Sequence, residues 1–325
     1  MNYKVIDGHS HIGYETEEEV VGKNIMMPYL PTINEYEKIA KKNNIGISLV
    51  APCTSPMIID KERSVTKVFC LWKYVNNKFE YYSEIVDNGR IKILDVQSNP
   101  YKEVNEKLMN YLKNVETVVD FKYIPAINLY FDTVDYLEEL LSYNPKGLKV
   151  HGISTGLYDL DIINPNLLKV ISKSNVPLAV HTDYCDNISS GIDKLYFANN
   201  PLNWIKLLSK YDIRGYLIHG CRLSKECSYI LKQNKGQFLA GISPDLLLNN
   251  EPERLMKNTD NYLRDLLNLY DEDTLSFDID YNWNYTDRIT YTGDYNQLNR
   301  FCEYVSDETS KKKILHDNSK KFFRL

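Results

Sequence analysis

The six cysteines (Cys53, Cys70, Cys185, Cys221, Cys227 and Cys302) are scattered, and no two make a Cys-x-x-Cys pair. That absence argues against a thiolate zinc site and against a disulfide framework, so reduced thiols in a cytoplasmic protein fit best. No apolar run reaches the ~20 residues that a spanning helix needs, and no signal-type apolar stretch opens the chain. Basic clusters are missing as well. The net charge is -5, and the one run, Lys311 to Lys313, reads as the solvated face of a C-terminal helix. Neither nucleic acid nor an anionic membrane is therefore an expected partner. Internal repeats and low-complexity tracts are also lacking.

What is present is a 325-residue chain, 43% apolar and 26% charged, with the pattern of a soluble globular protein. Apolar runs of strand length alternate with helix-period segments, the signature of repeated βα units around a parallel sheet. Eight strands are expected: about Tyr3 to Asp7, Gly46 to Ala51, Tyr123 to Tyr130, Gly147 to His151, Pro177 to His181, Tyr216 to Gly220, Gln237 to Ile242 and Leu275 to Tyr281. Length alone allows two domains, but α/β barrels run past ~250 residues as one, so residues 1–325 are read as a single (β/α)8 TIM barrel. The irregular stretch 59–100 reads as an insertion after the second strand, near the barrel mouth. Within it, Val68 to Trp72 and Phe79 to Tyr82, separated by Asn76-Asn77, are expected to pair as a hairpin.

The histidines give the pattern chemical meaning. Of six in all, five sit at the C-terminal ends of expected strands: His9 and His11, His151, His181 and His219. Side chains two apart on a strand share a face, so His9 and His11 point the same way. Strand C-termini of a (β/α)8 barrel converge on one mouth, and the eighth strand adds Asp278 and Asp280 to that rim. Imidazoles and a carboxylate gathered there suit zinc or another borderline divalent ion. Lys149 and His151 share an inward face on the fourth strand.

With these pieces assembled the chain resembles the amidohydrolase superfamily of metal-dependent (β/α)8 hydrolases, most closely its amidohydrolase 2 branch. The matching stretches are Asp7-Gly8-His9-Ser10-His11, Lys146 to His151, Val176 to Thr182, Ile218-His219-Gly220, Phe277 to Tyr281 and the closing segment Ile314 to Phe323. They span the chain in the family's order. The insertion is not part of the common pattern, and Asn282 stands where that branch commonly has proline. The resemblance implies that His9, His11, His181 and the strand-eight aspartate hold the metal, with His219 either a further ligand or a group that polarises substrate. Asp280 is preferred to Asp278 because it is nearer the rim and precedes an aromatic residue. Binuclear members carboxylate a strand-four lysine, which would make Lys149 and His219 a second-metal set. The mononuclear branch leaves that lysine as a plain cation, and one ion is the expectation here. Zinc is the first expectation for its identity, with manganese, iron and nickel as alternatives.

The activity so implied is hydrolysis of an amide, ester, lactone or related bond of a small molecule by a metal-activated water, with Asp280 as general base and acid. Arg222, His151, Tyr184 and Trp283, close to ligand strands, are the expected substrate contacts, and Tyr14 lies near them. Cys185 and Cys221 are read as packing residues, since no base is paired with them. Two alternatives stay open. One is a metal-dependent decarboxylase of an aromatic or related acid, although such enzymes often carry glutamate where this chain has His9. The other is a non-catalytic barrel that only binds. A small molecule is the expected partner, and a homodimer is left open.

Overall fold

The computed structural model describes residues 1–12, 33–52, 68–75, 78–85, 90–94, 99, 101–151, 160–182, 200–220, 224–242, 259–280 and 297–325. In chain order the strands are β1 (Val5–His11), β2 (Ile45–Ala51), β3 (Val68–Val75), β4 (Lys78–Ile85), β5 (Arg90–Leu94), β6 (Asp120–Tyr123), β7 (Leu148–Val150), β8 (Leu178–His181), β9 (Gly215–Ile218), β10 (Phe238–Gly241) and β11 (Leu275–Ser276). The described helices are α1 (Ile33–Lys42), α2 (Lys102–Asn114), α3 (Val134–Ser142), α4 (Pro165–Ser174), α5 (Pro201–Lys210), α6 (Lys225–Gln233), α7 (Thr259–Leu269), α8 (Gln297–Tyr304), α9 (Glu308–Lys312) and α10 (Asn318–Phe323). None is long and apolar enough to cross a membrane.

Parallel pairing runs β1-β2-β6 and β7-β8-β9-β10-β11, and two joints close these arcs into one ring. At the first joint Ala126 bridges Lys149, with the Ile127 N–H donating to the Lys149 carbonyl at 2.9 Å. At the second, Gly8 N–H donates to the Phe277 carbonyl at 2.9 Å and Asp280 N–H to the His9 carbonyl at 2.8 Å. The result is an eight-stranded α/β barrel. A smaller apolar cluster (Ile6, Leu49, Ala179, Tyr216, Leu239) fills the ring together with Phe322 and Phe323 of α10. The larger cluster lies between strands and helices, with Val5, Tyr36, Leu148, Trp204 and Leu217 among its members.

Local sequence explains where helices begin. Asn164 and Asn200 each cap a helix whose next residue is proline, accepting from the N–H of Asn166 and Leu202. Proline there gives up a donor that the first turn would have left unpaired anyway. Thr133 and Ser224 cap α3 and α6 through their hydroxyls. Each helix then buries a stripe at helical spacing, Trp204, Ile205 and Leu208 in α5 for instance.

Three expected strands need correction. The first runs on to His11 instead of ending at Asp7, because β1 keeps its pairing to β2 across a bulge: Asp7 pairs with Ser48 but Ser10 with Val50. The third begins at Asp120 and ends at Tyr123, not Tyr130. Pro125 offers no N–H to a ladder, and Asn128 folds the chain into a turn, its Oδ1 accepting from the N–H of Tyr130 at 3.0 Å. The eighth is regular only over Leu275–Ser276; beyond it Asp280 adopts φ 53°, which a strand cannot hold. The hairpin expected within 59–100 forms as β3 and β4, Val75 pairing with Lys78, and β5 adds a third antiparallel strand.

Candidate metal centre

The bulge in β1 decides which way the histidines face. Below it, Ile6 points into the ring and Val5 out toward α1. Strict alternation would have sent His9 and His11 outward with Val5 and Asp7. One extra residue against β2 reverses the sense, so Ser10 and Ile12 face out and both histidines face in. His219 follows β9 in a left-handed turn, with φ 66° at His219 and 63° at Gly220. Thr182 Oγ1 braces that turn, its single O–H shared between the carbonyls of Ile218 and Gly220, each 2.6 Å away. Positive φ at the non-glycine His219 and Asp280 is backbone strain concentrated where the side chains converge.

Three donor atoms, from His9, His11 and Asp280, lie within 4.8 Å of one another, and all three residues are buried. His9 Nε2 is 3.5 Å and His11 Nε2 3.7 Å from Asp280 Oδ1. Two donors each ~2.1 Å from one tetrahedral ion stand about 3.4 Å apart, so the spacing suits a single small cation. His11 Nδ1 lies 3.2 Å from the Pro52 carbonyl, which can only accept, so the proton belongs on Nδ1 and the lone pair of Nε2 faces the centre. Burial, aided by Lys149, holds His9 well below the usual imidazole range and lowers His11 to about 3. Both rings are neutral at pH 7, the form that binds metal.

The other expected residues take distinct places. His219 Nδ1 sits 3.7 Å from Asp280 Oδ2, on the opposite carboxylate oxygen. His181 is not in the converging trio; its Nδ1 is 3.1 Å from His219 Nε2. His151 stacks on His181 with ring centroids 4.0 Å apart. Burial likewise depresses His151 and His181. Lys149 is fully buried and its Nζ is 3.1 Å from His9 Nε2. Asp278 turns into the ring, where its Oδ2 accepts from Tyr216 Oη at 2.9 Å. Gly241 makes room for that pair, since a Cβ there would collide with the Asp278 carboxylate. Arg222, Tyr184, Trp283, Tyr14, Cys185 and Cys221 lie outside the described residues.

Sequence reasoning gave no role to Asp7. Its Oδ1 accepts from the N–H of His9 at 3.2 Å and of Ile279 at 2.9 Å. Its Oδ2 accepts from Ser10 Oγ and Tyr36 Oη, each at 2.5 Å, and Ser48 Oγ at 2.9 Å. The signal was present only as an aspartate two residues before the first histidine, with no hint of partners so distant.

Comparison with known proteins bears on the architecture. No family model and no curated protein matches the sequence. Solved structures do match over nearly their full length. A probable 2-pyrone-4,6-dicarboxylic acid hydrolase from Acinetobacter baumannii superposes with TM-score 0.57 at 12% identity, covering 99% of this chain and 100% of that one. An amidohydrolase II structure gives 0.56 at 14%, covering 99% and 100%. The IDCase of Metarhizium anisopliae gives 0.57 at 10%, covering 99% and 97%. The fold is that of the amidohydrolase barrels. In this α/β barrel the histidines and Asp280 occupy the strand C-termini, the end where such barrels carry their sites.

Proposed function

We propose that the chain is a metal-dependent hydrolase of the amidohydrolase superfamily, acting on an amide, ester, lactone or related bond of a small molecule. The observation that carries this reading is the convergence of His9 Nε2, His11 Nε2 and an Asp280 oxygen from opposite ends of the chain. His9, His11 and Asp280 would hold one divalent cation, zinc by the chemistry of an imidazole and carboxylate set. His181 would join them, or act through His219 on the far side of Asp280. A bound cation would supply Lewis-acid polarisation and make water acidic enough to lose a proton near pH 7.

The residues divide the remaining work. Asp280 accepts the proton of the attacking water and returns it to the leaving group. His219, directed at the second Asp280 oxygen, steadies that carboxylate and donates toward developing negative charge. Lys149, its Nζ 3.1 Å from His9 Nε2, opposes protonation of the imidazoles. His151, stacked on His181, presents a ring edge to substrate, and Arg222, Tyr184 and Trp283 complete the substrate contacts.

The test is metal content per chain by elemental analysis, followed by turnover on a panel of lactones, esters and amides. About one equivalent of metal and hydrolysis lost in Asp280→Asn are expected. Carbon dioxide released from an aromatic acid would replace hydrolysis with decarboxylation. A chain that binds neither zinc nor manganese would overturn the reading.

A further inference from the structure

The two backbone segments that carry His9 and Asp280 meet without a continuous ladder. The bulge in β1 takes the Gly8–His9 region out of register with β2, and β11 ends at Ser276, four residues before Asp280. Such places leave backbone N–H groups that a buried site must satisfy by other means. One carboxylate oxygen does so for both segments. Asp7 Oδ1 takes the N–H of His9 and the N–H of Ile279, residues 272 positions apart from Asp7 in the second case. The Asp280 N–H in turn donates to the His9 carbonyl at 2.8 Å. His9 and Asp280 are thereby bracketed from two sides, and the strained φ of 53° at Asp280 sits next to the clamped amide.

The other oxygen, Oδ2, has a different task. Its three hydroxyl partners come from Ser10, from Ser48 of β2 and from Tyr36 of α1, and together they fix the carboxylate plane. Tyr36 is fully buried and also bonds Ser48 Oγ at 2.7 Å, so the anchor is tied to the layer outside the ring.

We infer that Asp7 is a positioning residue that sets the distance between His9 and Asp280, and hence the affinity and geometry of the cation site, through Oδ1. This rests on the metal-site reading above. Its experiment uses the full chain stripped of metal and titrated with cobalt(II), reading affinity and the visible d–d bands, with melting temperature in parallel.

Asp7→Ala removes the clamp and is expected to weaken cobalt binding 10–100-fold and to shift the bands, as loss of an outer hydrogen-bonding partner does elsewhere. Asp7→Asn keeps a carbonyl oxygen for the two N–H groups while its amide faces hydroxyls that can turn to accept, so affinity returns to within about threefold. Tyr36→Phe disturbs only the Oδ2 side. It lowers the melting temperature but leaves affinity within about twofold and the bands unchanged. Unaltered cobalt binding in a folded Asp7→Ala protein overturns the inference. So does a tenfold loss in Tyr36→Phe, which would mean that any disturbance of the network weakens the site. A tenfold loss in Asp7→Asn with unshifted bands also overturns it, because charge and not the clamp would then be acting. If Asp7→Ala does not fold, the last two comparisons still decide. Wild-type protein that takes up no cobalt sinks the metal reading itself, a distinct result.

Discussion

Asp280→Asn is the perturbation that most directly probes the centre. Asparagine keeps the shape and one acceptor oxygen of a fully buried side chain, and removes the negative charge that faces His9, His11 and His219. A cation that binds only the folded chain stabilises it by about 4.1 kcal/mol when present at ~1,000 times its dissociation constant. For 325 residues, an unfolding entropy of ~2.1 cal/mol/K per residue gives about 0.7 kcal/mol/K, so zinc should raise the melting temperature by roughly 6 °C. A hundredfold weaker site forfeits about 2.7 kcal/mol of that gain and leaves a shift of roughly 2 °C. Turnover should fall 10²–10⁴-fold, which is about 2.7–5.4 kcal/mol of barrier, the usual contribution of a general base. Scanning calorimetry of stripped and zinc-loaded proteins, with turnover measured on the same samples, reads both effects. A variant that keeps the full zinc shift and full turnover would refute the assignment of Asp280.

Other consequences follow from single contacts. Asp132 is buried and its Oδ2 accepts from the Asn128 N–H at 2.7 Å, yet burial pushes its carboxyl up to about 7. The folded chain then holds a proton that the unfolded chain releases near pH 4, so this group's stability contribution is present below that pH and is lost as pH rises toward 7. The loss is at most about 4 kcal/mol, and Asp132→Asn should flatten it in urea melts between pH 4 and 8; an unchanged slope would count against the buried carboxyl. Gly241→Ala forces a methyl against Asp278 and Tyr216, and should cost about 1–3 kcal/mol in chemical denaturation. Trp204, on the inner face of α5, is fully buried, and Trp204→Ala should cost about 3–5 kcal/mol while leaving cobalt affinity in the folded fraction unchanged.

Much of this molecule was readable in its residue order. The alternation of strand-length and helix-length segments carried the barrel, because those periods are local properties. The order of residues put His9, His11, His181, His219 and Asp280 at strand ends, and a barrel brings strand ends together whatever lies between. Of these, His9, His11 and Asp280 offer donor atoms within 4.8 Å of one another, while His181 stands off against His219. Of the two strand-eight aspartates weighed, Asp280 lies against the histidines while Asp278 turns in to Tyr216. Where strands stop was less legible: Pro125 and the turn at Asn128 cut the third strand short through contacts that a pattern of apolar residues does not record.

The order of residues by itself determined the barrel and the set of donors at its mouth. Only the tertiary structure decided that those donors look inward. Alternation from Val5 would have turned His9 and His11 to the outside, and a single bulged residue against β2 reversed them. A bulge is set by the register between two strands about forty positions apart, and the carboxylate of Asp7 that bridges it finds its partners on α1, β2 and beyond β11. Such partners are fixed by closure of the ring, which no local stretch of sequence encodes.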